Sequence, residues 1–172
     1  MADGLPLETV LMSIIFPFAG KKVLRALRRS CRATIRHGGN CAYYSQEVDY
    51  IQMPPFESFR DAESYHSTLA HEMTHWTKHP SRLARDFGRR QWGDEAYAQE
   101  ELVAELGAAF LCTDLELTTE PHEENTSYIA NWLEILKSDT RFIFKAAAHA
   151  QRATDYLRAL REGCSASEAR AA

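Results

Sequence analysis

The segment His71-Glu72-Met73-Thr74-His75 constrains this chain more than any other, because it fixes both a helix and a chemistry. On a helix, His71 and His75 share one face and lie about 6 Å apart along the axis. Two imidazoles at this spacing can bind one Zn²⁺ ion. Glu72 is turned about 100° from His71 around the helix, so its carboxylate can take a proton from a zinc-bound water. The motif therefore predicts two metal ligands and a general base.

Apolar flanking residues place this motif inside an amphipathic helix. We predict the helix over Glu63–Lys78, with Asp61 or Ser58 as its N-cap and Pro80 beyond its end. A helix that merely carries two surface histidines is the alternative interpretation.

A catalytic zinc site needs a third protein ligand beside an open position. Ser81 stands where a metzincin would have its third histidine, six residues after His75. His79 is unsuitable, because ligands at i, i+4 and i+8 would span about 12 Å of one helix. The remaining source is an acidic helix, which we predict over Glu95–Asp114.

In that helix Glu101 and Glu105 share one face with apolar neighbours. Two carboxylates there are costly unless they are paired or bind a metal. We choose Glu101 as the third ligand, with Glu100 next and Glu105 third. Glu105 would then accept the second ring N–H of His71 or His75. A single glutamate on a helix is more often solvated surface than a metal ligand. Because the HExxH motif lies upstream, we favour the metal-ligand interpretation here.

The rest of the chain indicates an α+β fold. Cys41–Ser45 and Asp49–Met53 are rich in β-forming residues and predict a hairpin. Asn125–Lys137 and Thr140–Arg161 are amphipathic and predict two further helices. A small N-terminal β-hairpin or sheet followed by a helical body is an α+β arrangement.

With 172 residues, 45% of them hydrophobic and 26% charged, the chain has the size and composition of one globular domain. We divide it into a basic N-terminal segment over 1–32, a domain over 33–162 and a flexible tail over 163–172.

No apolar run reaches the about 20 residues that a bilayer requires, so no membrane partner is expected. The four cysteines lack zinc-finger spacing and no export signal is convincing, so we expect free thiols and a cytoplasmic protein.

The net charge of −4 is unevenly distributed. Residues 1–36 carry seven basic and two acidic side chains (+5), whereas residues 37–172 carry 13 basic and 22 acidic ones (−9). Basic side chains recur along one predicted helix face: Lys21, Lys22, Arg25, Arg28, Arg29 and Arg32. This face is either solvated surface or a contact for nucleic acid or another anionic surface. A second basic patch, with the same two interpretations, comprises Arg82, Arg85, Arg89 and Arg90.

Four runs of residues, spread over about 33–160, carry a resemblance to a known family. Leu69–Leu83 contains the HExxH motif and Trp92–Leu111 contains the acidic helix, while Ile35–Phe56 and Ala148–Ala153 also match. Together these runs resemble the zincin-like metallopeptidase domain of ArdC-type antirestriction proteins. Plasmids and other mobile elements encode such proteins, and the domain also occurs in phage polyvalent proteins.

The resemblance implies a zincin-like fold of the gluzincin type and an antirestriction or DNA-transfer context. The Glu101-x-x-x-Glu105 segment is similar to that of thermolysin-like gluzincins, where the first acid binds zinc and the second supports a ligand histidine. Zincins also pair an edge strand with an extended peptide, a role that analogy gives to Asp49–Met53. Full-length family members carry an N-terminal domain that binds single-stranded DNA, and from the sequence we expect this chain to lack most of it. The basic stretch Lys21–Arg36 could bind DNA independently.

We therefore predict a zinc-dependent metallopeptidase that hydrolyses protein or peptide substrates. In the predicted site, the zinc ligands are His71, His75 and Glu101. Glu72 is the general base, and Glu105 is the supporting carboxylate. Glu100 and His149 are alternative site residues, His149 as a donor to the carbonyl oxygen of the substrate. The alternative function is a single-stranded-DNA-associated antirestriction protein with a structural or inactive zinc site. A degenerate fragment of a mobile-element gene is a third interpretation.

Overall fold

A small sheet precedes three helices in the computed structural model of the protein, which describes residues 33–88, 95–114 and 141–171. The strands are β1 (Thr34–His37), β2 (Tyr43–Ser45) and β3 (Tyr50–Met53), and a short 3-10 turn follows at Phe56–Ser58. The α-helices are α1 (Ala62–Trp76), α2 (Glu95–Asp114) and α3 (Phe142–Ala171). This order confirms the predicted α+β class.

β3 is the central strand of the sheet, whose strand order is β1-β3-β2. β2 and β3 form the predicted antiparallel hairpin, with Tyr44 opposite Ile51. β1 pairs with β3 in parallel, with Ile35 opposite Ile51. The expectation that Asp49–Met53 is an edge strand is therefore wrong, because β3 has a neighbour on each side. Sequence patterning misses β1, since its four residues contain one apolar side chain and are too short for an alternating pattern.

The core lies between the inner face of the sheet and the helices. Ile51 and Met53 are fully buried, and they alternate with the partly exposed Tyr50 and Gln52, as a half-buried strand requires. The same cluster contains apolar side chains from all three helices: Leu69, Met73, Leu111, Cys112 and Leu157. The sheet therefore serves as a platform for α1, the helix that carries the HExxH motif.

α1 and α2 form where the sequence predicts them. Asp61 is the N-cap of α1 and accepts a hydrogen bond from the backbone N–H of Ser64 at 2.7 Å. α1 begins one residue before and ends two residues before the predicted helix Glu63–Lys78. α2 has the predicted bounds and packs between α1 and α3. Because α2 is covered on two sides, Glu100 is buried and Glu101 and Glu105 are partly buried.

α3 is longer than the predicted helix Thr140–Arg161, because residues expected as the flexible tail 163–172 continue it to Ala171. A glycine such as Gly163 costs only about 1 kcal/mol in a helix interior, and the alanines and glutamate that follow it favour helix. The predicted helix Asn125–Lys137 lies outside the described residues. No described helix is both long and apolar enough to cross a membrane.

α1 and α2 approach closely at Gly107, where a side chain has no room. A Cβ atom added at Gly107 would lie 2.6 Å from Cγ2 and 2.7 Å from Oγ1 of Thr74. Thr74 is fully buried, and its hydroxyl donates to the carbonyl of Ala70 at 2.9 Å. Because Thr74 directly precedes His75, this contact sets the spacing of the two helices at the HExxH motif.

We expect Gly107→Ala to destabilise the protein by about 1–3 kcal/mol, because the added methyl group overpacks the contact with Thr74. The matched control is Gly163→Ala in α3, where nothing lies within 4 Å of the added Cβ. The free energy of unfolding of the control should increase by up to about 1 kcal/mol, because alanine has a higher helix propensity than glycine. Urea unfolding of both variants measures the difference. Equal stabilisation of both would show that α2 moves away from Thr74 without cost.

Candidate metal centre

α1 and α2 bring His71, His75 and Glu101 together across their interface. Nε2 of His71 lies 3.1 Å from Nε2 of His75. The Glu101 carboxylate faces both rings, with Oε2 3.5 Å from Nε2 of His71 and Oε1 3.5 Å from Nε2 of His75. One ligand atom from each of the three residues therefore lies within 4.8 Å of the other two.

The spacing of these donor atoms fits a single small divalent ion. A tetrahedral ion with bonds of about 2.0–2.1 Å separates neighbouring ligand atoms by about 3.3 Å. The observed separations are 3.1 Å between the two nitrogens and 3.5 Å from each nitrogen to one carboxylate oxygen, which is Oε2 for His71 and Oε1 for His75. The two oxygens of Glu101 thus face the two rings separately. Two imidazoles and one glutamate are also a donor set that catalytic zinc sites use. The residues present thus fit a metal by geometry and by chemistry.

Each histidine is held from behind by a second carboxylate of α2. Nδ1 of His71 lies 3.0 Å from Oε1 of Glu105, the residue that the sequence predicts to support His71 or His75. Nδ1 of His75 lies 2.9 Å from Oε1 of Glu100. Glu100, the second choice as a metal ligand, therefore contacts the ring nitrogen that faces away from Glu101. In the neutral ring, a proton on Nδ1 that is shared with a carboxylate leaves the Nε2 lone pair for a metal.

Arg85 pairs with Glu100 behind His75. Its guanidinium donates from Nε to Oε2 of Glu100 at 2.8 Å and from Nη2 to Oε1 at 2.9 Å. Arg85 is 4% exposed and Glu100 is 2% exposed, so the interpretation of Arg85 as solvated surface is wrong. Sequence patterning misses this pair, because residues 81–90 have no apolar periodicity to show which side chain turns inward.

Burial and ion pairing act in opposite directions on this cluster. Burial alone would lower the pKa of His71, but hydrogen bonds to two carboxylates of α2 raise it to about 10. Burial would raise the pKa of Glu100, but His75 and Arg85 bring it down to about 2. The two histidines lower the pKa of Glu101 against burial in the same way. Both glutamates are therefore ionised at neutral pH, as a metal ligand and its support must be.

Glu72 is buried beside the donor cluster with one oxygen unpaired. The residue is 6% exposed, and its Oε2 has no hydrogen-bond partner among the described residues. Burial raises the pKa of Glu72, while His75 and His71 oppose that increase. An unpaired buried carboxylate oxygen costs stability. Such groups are rare in folded proteins and call for a functional explanation.

His149 lies on α3, outside the donor cluster. Its ring meets Phe87 edge-on, with the centroids 5.0 Å apart. Its Nδ1 lies 3.2 Å from Nη2 of Arg152. Burial and the Arg152 charge lower the pKa of His149, so the ring is neutral near pH 7.

Arg82 also turns inward, where it joins the hairpin to the end of α1. Its Nη1 and Nη2 donate to the two carboxylate oxygens of Asp49 at 3.1 and 2.5 Å, and Nη2 donates to the Tyr44 hydroxyl at 3.0 Å. Its Nε donates to the carbonyl of Trp76 at 2.6 Å, and its guanidinium lies 3.8 Å from the centre of the indole. The predicted basic patch is therefore made of internal ion pairs at Arg82 and Arg85. Its other two members lie outside the described residues.

An HExxH helix that meets a glutamate from the next helix has the arrangement of a zincin-type candidate metal site. A sequence model of the zincin-like metallopeptidase family matches residues 22–149, which is most of the chain. The chain belongs to this family. The resemblance inferred from the sequence and the predicted zincin-like fold are therefore confirmed.

The chain is also similar to solved structures and to curated sequences. The crystal structure of the Mn(II)-bound antirestriction ArdC protein from R388 plasmid matches with a TM-score of 0.74 and 42% identity, over 81% of this chain and 52% of that chain. The uncharacterized protein y4eC of Sinorhizobium fredii is 45% identical over 80% of this chain and 45% of its own length. A DNA primase TraC of Escherichia coli is 39% identical over 76% of this chain and 12% of its own length. The chain thus spans about half the length of the first two relatives and a small part of the third.

We expect Asp49→Asn to lower the free energy of unfolding by about 1 kcal/mol at neutral pH, because it removes a partly exposed carboxylate from Arg82. Asparagine still tolerates the φ of 49° at this position. Hydrogen bonds from Arg82 lower the pKa of Asp49 below its ordinary value of 3.8. The contribution is therefore complete above that value and is lost as the pH falls through the lower folded pKa. Denaturant titrations at several pH values check this, and a difference that did not shrink on acidification would contradict it.

Proposed function

We propose that the chain is a metal-dependent peptidase in which His71, His75 and Glu101 hold one divalent ion. Glu72 is its general base. The observation that carries this proposal is a three-donor cluster beside a buried, unpaired oxygen of Glu72. The family description as a metallopeptidase supports peptide-bond hydrolysis as the reaction.

Zn²⁺ is the ion that two imidazoles and one carboxylate favour. The related ArdC protein has a Mn(II)-bound structure, which supports the binding of a divalent ion in this family. When bound, such an ion polarises a substrate carbonyl and lowers the pKa of a water molecule.

The residues of the chain then have separate tasks. Oε2 of Glu72 accepts a proton from the attacking water and returns it to the leaving amine nitrogen. Glu105 and Glu100 keep the outer ring nitrogens occupied, so that both Nε2 atoms would be available to hold the ion. The His71 and Glu101 side chains are 16% and 15% exposed, whereas His75 is 7% exposed. Substrate therefore approaches from the side of His71 and Glu101.

Glu72→Gln is expected to keep one metal ion per chain and to lower hydrolysis by about 10²–10⁴-fold or more, because the amide cannot accept the proton. Metal content by mass spectrometry and turnover of a mixture of internally quenched fluorescent peptides measure the two properties. His71→Ala is the control that should lose the ion and the activity together.

The outcomes separate the possible functions. A fully active Glu72→Gln variant would overturn the mechanism. A wild-type protein that binds one ion and cleaves no peptide would favour a structural or inactive metal site. A folded wild-type protein without metal would overturn the site itself.

Association with single-stranded DNA is a second candidate function in an antirestriction or DNA-transfer context. Two observations favour it: the relatives include a plasmid antirestriction protein and a DNA primase, and residues 1–36 have a charge of +5. The basic segment 1–32 lies outside the described residues, so the proposal rests on its sequence.

Binding to a fluorescent oligothymidylate should weaken as salt increases, with a slope near −0.7 per phosphate contact on a double-logarithmic plot. A variant with six glutamines in the basic segment should lose both the affinity and the slope, and its substitutions are at Lys21, Lys22, Arg25, Arg28, Arg29 and Arg32. Anisotropy titrations at several salt concentrations measure this. Binding that is absent at low salt, or unchanged in the variant, would rule the proposal out.

A further inference from the structure

Arg85 is a buried cation that contacts both helices of the metal centre. On α2 it makes the two-bond contact with Glu100 described above. On the α1 side, Nη1 donates to the Thr77 hydroxyl and Nη2 donates to the carbonyl of Thr74, both at 3.0 Å. Its side chain is 2% exposed. The guanidinium thus joins the end of the HExxH helix to the helix that supplies the carboxylates.

The chain turns sharply so that Arg85 can reach this place. Ala84 has a φ of 48°, a conformation that costs energy for a residue other than glycine. The amide of Ala84 donates to the carbonyl of His79 at 3.1 Å, and the amide of Leu83 donates to the carbonyl of Thr77 at 3.0 Å. The loop after α1 is therefore folded back on the helix end, with Arg85 directed inward.

Glu100 connects Arg85 to a histidine of the donor cluster. Its Oε1 receives both Nη2 of Arg85 at 2.9 Å and Nδ1 of His75 at 2.9 Å. A two-bond contact with a planar guanidinium fixes the plane of a carboxylate, which a lysine ammonium cannot do. The direction in which Oε1 points, and hence the orientation of the His75 ring, depends on Arg85.

We propose that Arg85 is a positioning residue of the metal centre, acting through Glu100 on His75. This inference rests on the metal site of the proposed function. Arg85 touches neither the ion nor the substrate. It holds the Glu100 carboxylate so that Nε2 of His75 faces His71 and Glu101.

Arg82 offers a matched control for a purely structural effect. It follows the same helix, its side chain is 7% exposed, and it holds the carbonyl of Trp76 and the Asp49 carboxylate. Its charged partner lies on the hairpin and not among the carboxylates of α2. Arg82→Lys should therefore lose stability without changing the His75 ring.

The test is the Zn²⁺ dissociation constant of the full chain, measured by competition with a chromophoric chelator, beside thermal unfolding in EDTA. Arg85→Lys is expected to weaken Zn²⁺ binding about 10–100-fold, whereas Arg82→Lys should stay within about threefold of wild type. In a Glu100→Gln background, Arg85→Lys should have little further effect, because its action passes through Glu100.

Four outcomes would overturn the inference that Arg85 positions His75 through Glu100. Unchanged Zn²⁺ affinity in Arg85→Lys would exclude the positioning role. Equal losses of affinity in Arg85→Lys and Arg82→Lys would assign Arg85 a structural role. Additive losses in the double variant would show that Arg85 does not act through Glu100. A wild-type chain that binds no Zn²⁺ would overturn the proposed function as well. That outcome can be distinguished from the three outcomes above, because in those the wild-type chain binds Zn²⁺.

Discussion

The packing of α2 against α1 is the constraint on which the metal centre depends. α2 lies between two other helices, and it carries three carboxylates on the side of α1. Carboxylates inside a protein are tolerated only when charged or hydrogen-bonding partners surround them. Here each one faces a histidine ring or an arginine, so the contacts that neutralise the carboxylates also aim the ring nitrogens. The same contacts therefore pack the two helices together and assemble the site.

Much of the site could be predicted because its signals are local. The HExxH spacing places two imidazoles on one helix face, and the four-residue spacing of Glu101 and Glu105 places both acids on one face of α2. The bounds of α2, and those of α1 to within two residues, followed from apolar periodicity, with Asp61 as one of two candidate N-caps of α1. The hairpin followed from its β-forming residues. In each case, neighbours within a few positions in the sequence determine the structure.

The remainder depends on contacts that no local pattern encodes. Glu100 and Glu101 are adjacent acids, and the rotation of about 100° between them decides which one meets Nδ1 of His75 and which one meets Nε2. The sequence does not show whether an arginine faces solvent or a buried carboxylate. The roles of Arg82 and Arg85 could therefore be identified only from the folded structure. β1 gains its conformation from pairing with β3, which follows it in the sequence.

The centre is also contiguous in sequence. Its donors, its supporting carboxylates and the buried arginine all lie between His71 and Glu105, and the two helices and the loop between them hold these groups. A block of this kind can pass between genes by recombination without losing a group encoded elsewhere. The segment similar to this chain occupies about half of one relative and about an eighth of another. A metal centre built from one short stretch of sequence can thus be kept whole in proteins of very different length.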